Sequence, residues 1–223
     1  MFSVVIPMRD EPDPESILGE VHEALEGIND RYEVIVVRGD KEKLNNALPL
    51  FPNQREIKTY ADTLERSILT GFSVAQGERI AAMDADGSHP PEMLPMMWRL
   101  LDDYEMVVGS RFVDGSEFRG SPHRRLVTWL CKNMAHEAGS KLMDPMSGFF
   151  AFRREVLGRC RFRPLTWKPC LEVELRAHPR IKEIPIEFEE RRVGKSKTKV
   201  SVGLRIMAQL MTEGLSEAFD ARG

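Results

Sequence analysis

Residues 79–92 read Arg79-Ile80-Ala81-Ala82-Met83-Asp84-Ala85-Asp86-Gly87-Ser88-His89-Pro90-Pro91-Glu92, passing within a few residues from an apolar run to a pair of carboxylates. The run is short and follows Gly77, which suits a strand covered on both faces. Asp84 and Asp86 then fall just past the carboxyl end of that strand. In an open α/β sheet this edge is where ligands bind. Two carboxylates one residue apart can hold a hard divalent ion, Mg²⁺ or Mn²⁺, which prefers oxygen ligands and shares them with substrate phosphates. Asp86 and Ser88 can also cap a helix that starts near Pro91. Capping leaves Asp84 without a role, so the metal role is favoured.

Working outward, Val4-Val5-Ile6 before Pro7 predicts a buried first strand, and Ile17, Leu18, Val21 and Leu25 predict a helix over 14–25. Tyr32–Val37 is nearly all apolar and β-branched and predicts a second buried strand, with a weaker third at Glu56–Thr59. Leu64, Ile68, Leu69, Phe72 and Ala75 share a helical face that stops at Gly77. The alternation β-α-β-α-β implies a doubly wound, mostly parallel sheet flanked by helices. A helix over Pro91–Tyr104 and a strand over Glu105–Ser110 continue it. Past residue 110 the expected order is a loop at 114–122, a helix at 124–138, short strands at 148–153 and 181–189, a basic loop at 191–197, and an amphipathic helix at 199–219. No compositional break marks a linker, so one domain is expected over 1–223.

Of 223 residues, 42% are hydrophobic, enough for a real core rather than a disordered chain. The net charge of −3 supports neither a nucleic-acid binder nor a strongly acidic protein. That total conceals a split: residues 1–110 carry 10 basic and 21 acidic side chains, and 111–223 carry 22 and 14. The acidic half suits a metal, the basic half phosphates or an anionic membrane surface, although solvated helix faces also produce such a split. Cys131, Cys160 and Cys170 are odd in number and lack C-x-x-C spacing, which argues against a disulfide scaffold or a zinc knuckle and points to a reducing cytoplasm. The N-terminus has no basic n-region, and no run reaches the ~20 apolar residues needed to span a bilayer. A soluble protein, or a peripheral one at the cytoplasmic face of a membrane, is therefore expected.

Taken together, Asp84-Ala85-Asp86-x-Ser88-His89-x-Pro91, Gly109-Ser110-Arg111-Phe112, Asp144-x-x-Ser147-Gly148-Phe149 followed by Phe152-Arg153-Arg154-Glu155-Val156-Leu157, Glu183-Ile184-Pro185-Ile186-x-Phe188, and Arg191-x-x-Gly194-x-Ser196-Lys197 resemble family 2 glycosyltransferases. Their order resembles that of the dolichol-phosphate mannosyltransferase branch. The resemblance covers nearly the whole chain and implies the nucleotide-sugar-binding GT-A fold with a D-x-D motif. It further implies a nucleotide-sugar donor, GDP-mannose, and a polyprenyl or dolichyl phosphate acceptor. By position, Asp84 would contact nucleotide and metal, and Asp86 would be the principal metal ligand. Pro7 and Glu11 would sit at the nucleotide end of the first strand. Arg111, Arg124 and Thr128 fall where that branch holds the lipid phosphate, while Arg191, Ser196 and Lys197 match the loop that closes over the diphosphate. Guanidinium groups suit both tasks because they grip phosphate oxygens bidentately and stay charged.

Two segments depart from the pattern. Met8-Arg9-Asp10-Glu11 replaces Thr-Tyr-Asn-Glu, and Val37-Arg38-Gly39-Asp40 replaces an Asp-Asp-Gly-Ser stretch. Asp40 either supplies the missing acid for the nucleotide or is a solvated loop residue. The resemblance implies an inverting hexosyltransferase acting on a lipid phosphate. A UDP-glucose enzyme of the same family and a non-catalytic nucleotide-sugar-binding module are the alternatives. The apolar face Val200, Leu204, Met207, Met211 and Leu215 would either dock on a membrane or pack on the sheet.

Overall fold

The computed structural model describes residues 1–8, 11, 13–39, 48–59, 63–118, 122–160, 162 and 168–188. Strand β1 (Phe2–Met8) leads through α1 (Pro14–Glu26) to β2 (Tyr32–Gly39) and β3 (Gln54–Thr59), and α2 (Leu64–Val74) leads to β4 (Arg79–Ala82). A 3-10 turn (Pro91–Met93) and α3 (Leu94–Leu100) precede β5 (Met106–Ser110). Then come β6 (Glu117–Phe118), α4 (Pro122–Glu137), β7 (Phe150–Arg153), α5 (Arg154–Arg159), α6 (Pro169–Ala177), β8 (Ile181–Pro185) and β9 (Glu187–Phe188).

Seven strands form one sheet in the order β3-β2-β1-β4-β7-β5-β8, and β6 pairs with β9 beside it. All neighbours in the large sheet are parallel except β7, which runs antiparallel to both β4 and β5. The expected mostly parallel, helix-flanked sheet is what forms.

Period-two alternation distributes the buried side chains to two cores. Val4, Ile6, Val34, Val36, Ala81, Val107 and Ala151 face α1 and α3, and Val5, Ile35, Val37, Ile80, Ala82, Val108, Phe150 and Phe152 face α2 and α6. Gly71 lets α2 lie this close to the sheet. A Cβ there would stand 2.2 Å from Val5 Cγ1.

Two expected elements come out differently. The helix foreseen over 91–104 opens as a 3-10 turn and ends at Leu100. Pro95 lacks an N–H and is accommodated only in the first turn of α3, while Asp102 and Asp103 oppose the negative helix end. The strand foreseen over 181–189 divides at Ile186, so that β8 pairs with β5 and β9 with β6. The foreseen helix at 199–219 lies outside the described residues.

Candidate functional site

The first strand carries Pro7 inside its span rather than at its end. Val5 C=O accepts from Met83 N–H at 3.1 Å, so odd-numbered positions of β1 direct their polar groups toward β4. The last β1–β4 pair is Val5 with Ala82. Pro7 therefore lacks an N–H on a side where no ladder bond is needed. Glu11, which follows β1 in the chain, is half-buried.

At that edge β4 stops, and residues 84–89 turn back. Gly87 takes φ +73°, a left-handed conformation that favours glycine. Asp86 Oδ1 accepts from Ser88 N–H at 3.1 Å and from the Ser88 hydroxyl. This bond pattern closes the turn upon itself, and no side chain caps the 3-10 turn or α3. His89 is buried and stacks on Phe149 with ring centroids 5.2 Å apart. Its Nδ1 receives the Asp84 N–H at 3.1 Å, which requires that nitrogen to be unprotonated. Burial lowers the pKa of the ring in the same direction, with nearby Asp84 and Asp86 opposing. The neutral ring thus carries its proton on Nε2, 4.0 Å from Asp84 Oδ2. His89, held by its stack on Phe149, orients the carboxylate turn.

The opposite wall of Asp84 is backbone. A Cβ on Gly148 would lie 2.9 Å from Asp84 Oδ2 and 3.2 Å from His89 Cε1. Asp84 and Asp86 are both half-buried, with Asp84 27% exposed on its side chain. Their oxygens suit a hard divalent cation. Among the described residues no group of three His, Cys, Asp or Glu gathers, so the remaining coordination positions would fall to substrate oxygens and water.

Arg111, just past β5, lies against Asp144 in a two-point clasp. Its Nε donates to Oδ2 and its Nη2 to Oδ1, each at 2.7 Å, and its backbone N–H donates to Oδ2 at 3.1 Å. The Asp144 side chain is fully buried and that of Arg111 is 9% exposed. Strands β4 and β5 both run antiparallel to β7, and the last pair of each with it is opposite Phe150, so the D-x-D turn after β4 and Arg111 after β5 emerge at the same sheet edge, on either side of Phe149, the ring that His89 stacks on.

Two further carboxylates, Glu174 and Glu183, set the loop carrying Asp144. Glu174 accepts from the backbone N–H groups of Lys141 and Leu142 (2.5 and 3.1 Å) and from the Ser140 hydroxyl. Glu183 accepts from Met143 N–H at 2.8 Å and Asp144 N–H at 3.0 Å. Burial raises the pKa of Glu174, and these hydrogen bonds pull it part of the way back. Glu183 stood in the motifs quoted above, whereas Glu174 had no sequence signal.

Helix α4 carries Arg124 and Thr128 at i and i+4 on one face, and Thr128 is half-buried. It packs through Cys131 and Ala135 against Leu171. All three cysteines are buried and unpaired, and burial raises each thiol, Cys160 to about 12. Packing is their role. Trp98 packs on the core, whereas Trp129 on α4 is 59% exposed. Asp40, Arg191, Ser196, Lys197 and Trp167 lie outside the described residues.

The family model for glycosyl transferase family 2 matches residues 3–161. The chain belongs to glycosyltransferase family 2. Within it, the chain is 31% identical over 209 residues to a dolichol-phosphate mannosyltransferase of Pyrococcus furiosus, covering 88% of this chain and 59% of that protein. It is 32% identical over 165 residues to the dolichol-phosphate mannosyltransferase of Saccharomyces cerevisiae (69% and 61%). It is 33% identical over 163 residues to a polyprenol monophosphomannose synthase of Mycolicibacterium smegmatis (69% and 60%). The chain spans about three fifths of the length of these relatives.

Among solved structures, mannosyl-3-phosphoglycerate synthase from Rubrobacter xylanophilus superposes with a TM-score of 0.68 at 17% identity, covering all of this chain and 75% of that one. Glucosyl-3-phosphoglycerate synthase from Mycobacterium tuberculosis, in complex with Mn²⁺ and UDP-glucose, gives 0.65 at 17% identity over 96% of this chain and 78% of that one. At these identities the likeness is one of fold, and the family 2 chain has the GT-A fold. No helix among its described residues is long and apolar enough to cross a membrane.

Proposed function

We propose that the chain is an inverting glycosyltransferase that moves a hexose, mannose from GDP-mannose, onto a polyprenyl or dolichyl phosphate. One observation carries this: the Asp84/Asp86 turn after β4 and the Asp144-clasped Arg111 after β5 emerge at a single sheet edge. The relatives named for mannosyl transfer to lipid phosphates support the choice of substrates.

In this proposal Asp84 and Asp86 hold a divalent ion, Mg²⁺ or Mn²⁺, which when bound offsets charge developing on the departing diphosphate. Pro7, Glu11 and Asp40 border the nucleotide. Arg111, Arg124 and Thr128 hold the acceptor phosphate and aim one of its oxygens at the anomeric carbon. That oxygen is ionised at neutral pH, so the site needs no general base to deprotonate it. A single displacement inverts the carbon. Arg191 and Lys197 close over the leaving diphosphate and stabilise its charge. The acceptor tail brings the enzyme to the cytoplasmic face of a membrane, and the segment 199–219 makes peripheral contact there.

The test offers labelled GDP-mannose or UDP-glucose with polyprenyl phosphate in detergent, with Mn²⁺ or with EDTA. Label should enter the organic phase from GDP-mannose only, and only with metal. Transfer from UDP-glucose alone would move the assignment to the alternative donor, and no transfer to lipid from either would reject it.

A further inference from the structure

Lys132 follows Arg124 and Thr128 by four and eight positions on α4, so the three share one helix face. Its ammonium stands over the Phe112 ring, 5.4 Å from the centroid, and the Arg111 guanidinium stands 5.5 Å from the centroid of the same ring. Two cations thus gather about one aromatic side chain. Asp144 neutralises Arg111. Lys132 makes no ion pair with a described carboxylate, and its polar contact is the thioether of Met143 at 3.9 Å. Asp144 offsets the repulsion between the two cations from the Arg111 side only, so the Lys132 charge stays open to a second anion. Lys132 is half-buried as a residue, but its ammonium contact with Met143 is exposed and its stem is long and flexible, so the charge can swing toward such an anion without moving the helix.

From this geometry we infer that Lys132 is a further binding residue for the acceptor, donating from its ammonium to the phosphate monoester that Arg111 receives. The inference rests on the acceptor-phosphate role proposed for Arg111 and deepens it. Arg111 is fixed by its clasp and supplies direction. Lys132 supplies an unneutralised charge that Asp144 has cancelled at Arg111. The resulting patch favours a doubly charged phosphate over a singly charged phosphodiester headgroup.

The experiment measures initial rates with polyprenyl phosphate in neutral detergent micelles for wild type, Lys132→Met and Lys132→Arg, at low and high salt. Lys132→Met should raise the acceptor KM roughly tenfold, as expected for loss of one charge-assisted contact, while the donor KM and kcat stay within about twofold. Lys132→Arg should recover most of the affinity. Salt should weaken acceptor binding less in Lys132→Met than in wild type, since one screened contact is gone. A parallel flotation on phosphatidylglycerol vesicles without polyprenyl phosphate separates lipid-surface charge from acceptor binding. An unchanged acceptor KM in micelles overturns the inference, as does a defect confined to flotation. If wild type yields no labelled lipid, the functional proposal itself fails and takes this residue's role with it.

Discussion

The guanidinium of Arg111 lies on the carboxylate of Asp144 at two points, both 2.7 Å, with the carboxylate wholly removed from solvent. An arginine so held cannot wander as a surface side chain does. It also cannot lose its partner cheaply, because a buried charge is then left uncompensated. Asp144→Asn should therefore destabilise the protein by about 3 kcal/mol and lower turnover with lipid phosphate, since Arg111 loses its aim. Denaturant unfolding and acceptor kinetics would check both. An unchanged midpoint would show that the clasp contributes nothing to stability.

Gly148 gives the clearest steric forecast. A methyl group there would meet Asp84 Oδ2 at 2.9 Å and the edge of the His89 ring at 3.2 Å. Gly148→Ala should cost about 1–3 kcal/mol and, more tellingly, raise the Mn²⁺ concentration needed for half-maximal activity. A variant with normal metal response would separate Asp84 from metal binding.

Asp86→Ala should lower metal-dependent turnover by roughly 100-fold or more, by analogy with removal of other groups that stabilise charge in a transition state. The fold should survive, as Asp86 is half-buried in the turn that follows β4 and belongs to neither hydrophobic core. Circular dichroism and an assay titrated with Mn²⁺ would test this pair of outcomes.

Glu174 has a folded pKa raised above the ordinary 4.5, first by burial. The folded state then holds a proton more tightly than the unfolded one. The resulting stability is complete below about 4.5 and is lost as pH rises through the folded value. Glu174→Gln should remove this slope, since its amide oxygen still accepts from Lys141 and Leu142 and its NH₂ can donate to the Ser140 hydroxyl. Glu174→Ala should instead destabilise at every pH by leaving the Lys141 N–H unsatisfied and the Leu142 N–H with only its 3.3 Å bond to the Ser140 hydroxyl. Unfolding curves from pH 4.5 to 7 would distinguish them, and a Gln variant as unstable as the Ala variant would contradict this account of the loop.

The parallel core was legible because Val4–Ile6, Tyr32–Val37 and Ile80–Met83 are apolar but for Glu33, as strands sealed on both faces must be. The direction of β7 was not. Phe150–Arg153 has four residues, and its antiparallel placement between β4 and β5 follows from the path of the chain after α4, which no local pattern encodes. Helix α6 was hidden for a different reason. Leu171, Val173 and Leu175 alternate with Glu172 and Glu174 in a strand-like period, yet both acids are buried in helical turns. In the site, Asp84 and Asp86 announced themselves by their place after a strand. The bond of Asp144 to Arg111 spans 33 residues, as does that of Glu174 to the backbone of Lys141, so neither pairing leaves a local trace.

The central claim is a single displacement by a lipid phosphate at the anomeric carbon of a nucleotide-activated hexose. Its most direct test is the structure of the product formed by the purified chain from α-linked GDP-mannose and polyprenyl phosphate with Mn²⁺, read by the one-bond carbon–proton coupling at C1. The account predicts a mannosyl lipid phosphate with the β configuration. An α-configured product, or mannose released to water with no lipid conjugate, would contradict it.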